Sequence, residues 1–380
     1  MKLNISLLVG LKNNLDYTQN FYKTTREIYP TAEICFTSYG STDGTHEWLL
    51  GLDDPNLKFY ISDENKTFSD TFNKCAEIAT KDYIVLLHND IVLAPGFLER
   101  LVSRLAPNNV VSYTTVEPPI FAGHERPGKM IKDFGSDLET FKKEEFQSFA
   151  IEVSEEVEFF IEKGAAFFMS LSKKVYTDMG GMDNLFTPMF SEDDDLIARL
   201  IIQGLNLFTC LGAICYHFVS KTSRFSEEYK ERTQQIERES NRNFLRKWGG
   251  RTQGNIKRYQ VGFCITNCNI QVLELLEPFA DHIYFNNGAE YKQYITLEQP
   301  KTQYDLTKRI IPNTDNFLDD YIIHFDANNL NNESGKLLTM FQDSLKQVKE
   351  PGRYEYGPFV IEAIKIRSHE GLLINNFKKR

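Results

Sequence analysis

The sequence predicts an α/β fold with a mostly parallel central sheet, followed by a smaller C-terminal α/β region. Three observations carry this. Over the first ~100 residues, short apolar runs alternate with helix-period patterns, the rhythm of strand–helix–strand units. The fourth of those runs ends on His88-Asn89-Asp90, which puts polar and acidic residues at the strand edge where such sheets bind ligands. The run GGRTQGN at 249–255 then breaks the pattern and separates a first region, 1–250, from a second, 256–380.

Taken in order, residues 5–9 read as a buried strand and residues 15–29 as a helix stopped by Pro30. A second strand is expected at 33–37, a turn at 40–44 leading into a short helix through Trp48, and a third strand at 57–61. Phe68, Phe72, Cys75, Ala76 and Ala79 fall on one face of a helix, and residues 83–87 form the fourth strand. Residues 117–137, rich in Pro and Gly, read as a long structured loop. A compact stretch at 164–219 precedes a charged helix predicted from about Ser226 to Trp248. Beyond it, 260–265, 283–286 and 321–325 read as strands.

Composition narrows the function. A hydrophobic fraction of 41% and a charged fraction of 25% belong to a globular protein, and 29 Phe with 18 Tyr supply ring-lined clefts. The net charge of −10, with no basic stripe, argues against a nucleic-acid partner. Six scattered cysteines complete no metal signature and read as reduced, mostly buried thiols. The apolar stretch at the N-terminus is too short for a signal peptide and no run reaches the length of a membrane span. The expectation is a soluble, cytoplasmic protein whose membrane contact, if any, is peripheral.

Four stretches in order carry the chemistry: YGSTDGT (39–45), ENKTFSDTFNKCAEIATKDYIVLLHND (64–90), GGMDNLFTPMFSEDDDLIARLIIQG (180–204) and YHFVSKTSRF (216–225). Together they resemble the family-2 glycosyltransferases. A loop with Glu117–Pro119 and Asp133–Gly135 and a tail like 258–330 are similar to a bacterial and viral subgroup of that family. The resemblance implies a GT-A nucleotide-sugar domain and an inverting transfer from a nucleotide-sugar donor, UDP-sugar by default, to a hydroxyl acceptor such as a glycan.

It also implies residue roles. Asp90 matches the metal-binding acid of a D-x-D motif, with His88 in place of the first acid and Asn89 between them. His217 matches a downstream metal-ligand histidine. Carboxylate and diphosphate oxygens suit Mg²⁺ or Mn²⁺, and a histidine ligand favours Mn²⁺. Glu192, Asp193, Asp195, Leu196 and Arg199 match an E-D-x-D-L-x-x-R pattern whose second acid, Asp193, is the general base. Glu192, Arg126 and Lys129 are assigned to the acceptor side. The donor side takes Gly10, Leu11, Lys12 and Asn13 after the first strand, Ser38 and Tyr39 after the second, Asn65, Asn73, His88 and Asn89, and Lys221 and Arg224 near His217.

Two other readings stay open at this level: a sugar nucleotidyltransferase, and a carbohydrate-binding GT-A protein without activity. A homo-oligomer is allowed, and acceptor recognition is the default role for the tail. The stretch NNESGKLL (331–338) lacks the first glycine of a phosphate loop and reads as a helix capped by Ser334. His282, His324 and His369 lack metal-ligand spacing and read as structural or surface residues.

Overall fold

The structure, a computed structural model, describes residues 4–120, 123–156, 160–162, 166–219, 221, 228–250, 258–285, 290–312 and 316–369. The chain divides into two compact units, Met1–Ile236 and Glu237–Arg380.

The first unit contains the strands β1 (Ile5–Leu11), β2 (Glu33–Tyr39), β3 (Leu57–Ser62), β4 (Tyr83–Leu87), β5 (Ile91–Leu93), β6 (Asn109–Glu117), β7 (Lys129–Ile131), β8 (Phe160–Glu162), β9 (Met169–Ser172) and β10 (Asn206–His217). Their order is β3-β2-β1-β4-β9-β6-β10-β5, with β7 on β6 and β8 on β10. β3, β2, β1 and β4 run parallel, as the alternation of apolar runs and helices predicts. Both faces of this half are covered. Ile5, Leu7 and Val9 join Phe21 and Phe36 on one side, while Leu8 joins Phe72, Cys75, Ala76 and Leu86 on the other. Period-2 alternation within β1 therefore feeds two cores at once. Each fully buried Leu or Phe contributes about 1.5–3 kcal/mol there. The Phe68–Ile78 helix starts from a capping box in which Thr67 and Asp70 satisfy each other's backbone N–H groups.

Past β4 the sheet becomes mixed. β9 lies antiparallel between β4 and β6, and β5 runs antiparallel to the end of β10. The 117–137 segment, read as loop from sequence, includes β7, which pairs with the end of β6 from Thr115 to Glu117. Three residues are too short to reveal a strand period.

The second unit has β11 (Val261–Thr266), β12 (His282–Phe285), β13 (Ile310–Pro312), β14 (Tyr321–Asp326), β15 (Gly352–Tyr356) and β16 (Phe359–Ala363). Their order is β13-β12-β11-β14-β16-β15. The first four are parallel and repeat the order of β3, β2, β1 and β4; the last two form an antiparallel hairpin. The units divide within the Thr233–Trp248 helix and not at the GGRTQGN run, of which residues 251–255 lie outside the described residues. Arg242 and Arg246 of that helix bind Glu298 and Glu277, which ties its greater part to the second sheet. The helix at Asn332–Thr339 is capped by Asn331, whose side chain accepts from the N–H groups of Glu333 and Ser334; Ser334 only returns the bond. His282, His324 and His369 pair with Asp319, Glu362 and Asp320. All six cysteines are free.

Candidate active site

The chain leaves β4 at Leu87, passes through His88-Asn89-Asp90 and enters β5. Because β5 pairs antiparallel with β10 in the register Ile91↔His217, the last residue of β10 lands beside Asp90. The N–H of Phe218 donates to the Asp90 carbonyl at 2.9 Å and locks that register. Three side-chain donors then converge. Nε2 of His217 lies 3.5 Å from Oδ1 of Asp90, Nδ1 of His88 lies 3.8 Å from the same oxygen, and the two ring nitrogens are 3.5 Å apart. Donors bound about 2.0–2.2 Å from one ion at ordinary angles are roughly 3–3.6 Å apart; two of the three separations lie in that range and the third, at 3.8 Å, is slightly wider, an arrangement that can close on a divalent cation. His88, Asp90 and His217 are the one group of metal-ligand residues with this geometry among the described residues. Oδ1 of Asp90 is buried and has no hydrogen-bond partner, whereas Oδ2 accepts from the Lys221 N–H at 3.2 Å. An orphaned carboxylate oxygen facing two imidazoles is the polar vacancy that a cation satisfies. Burial alone would raise the Asp90 carboxyl, but the two histidines outweigh it and hold the group down to about 2, ionised and ready to ligate.

His88 therefore has a place beyond the donor side expected of it, as the third member of the cluster. Its ring rests on Phe167 at 4.4 Å between centroids. Behind His217 stands Glu117, whose Oε1 is 3.2 Å from Nδ1; Lys129 anchors the other carboxylate oxygen at 2.6 Å. A proton held on Nδ1 leaves the Nε2 lone pair for the cluster. Lys129, placed on the acceptor side by sequence, is thus committed behind the histidine. The line Lys129–Glu117–His217 escaped sequence reading, although Glu117 had been noted as the first residue of a motif.

Next to the cluster opens a cleft of about 290 Å³, lined by Gly10, Leu11, Lys12, Tyr39, His88, Glu192 and Asp193 among others. Phe68, expected only on a helix face, also lines it, as do Phe167 and Tyr229, which no sequence pattern marks. Lys12 is held by the Gly40 carbonyl at 2.8 Å and by Asn65 at 2.6 Å, which knots the turns after β1 and β2 together. Asn13, in a left-handed conformation, accepts from the Thr42 N–H and extends the same knot. The ring of Tyr39 packs against Tyr60 at 5.6 Å.

Several expected donor contacts are spent elsewhere. Ser38 is fully buried and bonds Ser41 at 2.7 Å and His46 at 3.0 Å. Asn89 is buried and donates to Thr18. Asn73 accepts from the Met182 N–H and from Tyr176 and donates to the Met182 carbonyl, fixing the turn before the acidic cluster. These three polar side chains are consumed by the fold. Lys221 meets Asp90 through its backbone, and Arg224 lies outside the described residues.

The acidic cluster opens the Glu192–Ile202 helix, entered through left-handed Phe190 and Ser191. Asp195 and Arg199 are fully buried and paired at 2.9 Å, and the guanidinium also binds the carbonyls of Met179 and Gly181. This clamp fixes the first turn, so Glu192 and Asp193 face the cleft. Burial, with Asp193 beside it, pushes Glu192 well above the carboxylate range, and its Oε2 has no partner. Burial and the charge of Asp194 raise Asp193 to about 6, with Arg126 pulling the other way. Arg126 therefore lies within electrostatic reach of Asp193.

Residues 6–175 match the sequence model of glycosyl transferase family 2. The matched segment is less than half of the chain. It carries β1–β4, His88, Asp90 and Glu117, and ends before Asp193 and His217. Among curated proteins none matches the sequence. Solved structures of similar backbone include GalNAc-T7 with UDP, GalNAc and Mn²⁺ (11% identity, 57% of this chain and 44% of that one, TM-score 0.43). The mannosyltransferase PcManGT from Pyrobaculum calidifontis in complex with GDP-Man and Mn²⁺ aligns at 17% identity over 64% of this chain and 62% of that one, TM-score 0.42. S. aureus TarS 1–349 aligns at 11% identity over 63% and 71%, TM-score 0.42. The chain thus spans less than two thirds of the first two, and likenesses of this size assign it no ligand. No helix among the described residues is long and apolar enough to cross a membrane.

Proposed function

We propose that the first unit transfers a sugar from a nucleotide-sugar donor, UDP-sugar by default, to a hydroxyl of a glycan or similar acceptor, with inversion at the anomeric carbon. The observation that carries this reading is the orphaned Asp90 Oδ1 between His88 and His217, beside a cleft walled by Asp193. His88, Asp90 and His217 would hold Mn²⁺ or Mg²⁺, which when bound neutralises a leaving diphosphate. Asp193 takes the acceptor's hydroxyl proton as that oxygen bonds to the anomeric carbon and the bond from that carbon to the diphosphate breaks. Glu192, kept neutral by burial, has a proton with which to hold an acceptor or sugar oxygen. Lys12, Tyr39 and the Gly10–Leu11 end of β1 form the donor wall, and Arg126 stands on the acceptor side.

Calorimetric titration with a panel of nucleotide sugars, with Mn²⁺ and after chelation, tests the reading. Metal-dependent binding of one donor, followed by release of its nucleoside diphosphate when an acceptor is added, is the expected result. Release of pyrophosphate from a nucleoside triphosphate and a sugar phosphate would instead make the protein a nucleotidyltransferase. Metal-independent sugar binding without turnover would make it a binding protein.

A further inference from the structure

β15 ends the sheet of the second unit, and all five of its residues, Gly352-Arg353-Tyr354-Glu355-Tyr356, are exposed. Proteins usually blunt such an edge with Pro, Lys, a bulge or a covering element, because its free N–H and C=O groups template another strand. β15 contains no Pro and no Lys, and its pairing with β16 runs without a bulge from Gly352↔Ala363 to Tyr356↔Phe359. Both faces of the hairpin have unfinished rows. On one, the buried Phe359 and Ile361 of β16 stand opposite Tyr356 and Tyr354, which remain 40% and 36% exposed. On the other, Glu362 stands opposite Arg353 and Val360 opposite Glu355.

We propose that β15 pairs antiparallel with β15 of a second copy of this chain across a two-fold axis through Tyr354, joining the two C-terminal sheets into one. The strand's own sequence selects that occupant. In this register Arg353 faces the partner's Glu355, and Glu355 faces the partner's Arg353. Each row of charges then alternates in sign, from Glu362 through Arg353 to Glu355 of the partner subunit. Opposite charges directly across a ladder stabilise it, and like charges oppose it. On the other face Tyr354 meets the partner's Tyr354, and each Gly352 lies under the partner's Tyr356, an aromatic ring over a glycine that has no side chain to pack. The apolar row Ile361–Tyr354 thus continues into the second copy. A two-fold contact must be self-complementary, and this five-residue strand is so at every position.

The test is the mass of the full chain in solution, by sedimentation or light scattering over a concentration series. The expected result is a dimer whose dissociation constant rises ~10-fold or more in Arg353→Glu and in Glu355→Arg, since each puts like charges opposite each other twice. The double variant, Arg353→Glu with Glu355→Arg, restores opposite pairs and should return within a few-fold of the parent. Circular dichroism melts confirm that each variant is folded. A parent that stays monomeric at every concentration overturns the proposal. A dimer that neither single reversal weakens, or that the double variant fails to restore, shows that the seam lies elsewhere.

Discussion

Glu117 Oε1 lies 3.2 Å from Nδ1 of His217, on the side of the imidazole away from Asp90. With Lys129 on its other oxygen, Glu117 fixes the ring so that Nε2 faces the orphaned oxygen of Asp90. Partners of this kind typically change metal affinity by about 10–100-fold. Glu117→Ala is expected to weaken Mn²⁺ binding within that range, with Glu117→Gln in between, since an amide still accepts from Nδ1–H. Calorimetry with the metal alone gives the answer; unchanged affinity in both variants removes Glu117 from any orienting role.

Asp90→Ala and His217→Ala are each expected to abolish measurable Mn²⁺ binding, and His88→Ala to weaken it. The reason is the order of commitment. Asp90 brings the charge and the unpartnered oxygen, while His217 is held by Glu117; His88 is the more exposed of the two rings. Electron paramagnetic resonance of added Mn²⁺ counts the bound ion directly. Full binding by the Asp90 variant would place the ion elsewhere.

For Asp193, the expected loss of transfer in Asp193→Asn is ~10²–10⁴-fold with donor affinity nearly unchanged. Burial first, then Asp194, raises this carboxyl to about 6, and a base works only when ionised, so transfer should climb as pH rises through about 6. Asp194→Asn removes one of the charges that lift it and should slide that limb to lower pH while costing little rate. A pH–rate profile for the parent and both variants settles the assignment. If Asp194→Asn is the inactive variant, or the limb does not move, the base has been misplaced.

Glu277 gives a pH-dependent stability in the second unit. Burial would raise its carboxyl, but Arg246 and Arg309 hold it down from 4.5 to about 2. A group lowered on folding stabilises above its unfolded value, so its contribution is complete above about 4.5 and disappears as pH falls toward about 2. Glu277→Gln should lower stability by about 3–5 kcal/mol at neutral pH, because buried guanidinium groups lose their counter-charge. It should also flatten the acid dependence over that window. The chain has 2 tryptophans, so Trp48→Phe leaves Trp248 to report urea unfolding of this unit. An unchanged acid profile would show that Glu277 is not the titrating group.

The parallel half was legible because its strands are short, mostly apolar runs and its helices repeat at 3.6 residues, signals that survive in a single sequence. Gly10, Lys12, Tyr39 and Asp193 were legible because they lie at or just after strand ends or open a helix. Glu117 and Phe167 were not, since what they do depends on contacts between segments far apart in the chain, Glu117 and His217 being 100 positions apart. Asn73, Asn89 and Ser38 misled for the same reason. A polar residue near a strand end carries no sign of whether its hydrogen bonds go to ligand or to backbone, and here the Met182 backbone, Thr18 and His46 take them. The hairpin of β15 and β16 was missed because the alternation of Tyr354 and Tyr356 with Arg353 and Glu355 spans only five exposed residues.

The pairing of β5 with β10 has a bearing on how the protein is made. His88 and Asp90 leave the ribosome early, together with the four parallel strands. His217, their partner, is separated from His88 by 129 positions and arrives only with the end of β10. Closing so long a span is slow compared with local packing. During synthesis there is thus a stage with the parallel strands made and no place for a cation. An ion bound there would act as a late fastener, holding β10 in register once the strand has docked, and adding Mn²⁺ should slow unfolding far more than it speeds folding.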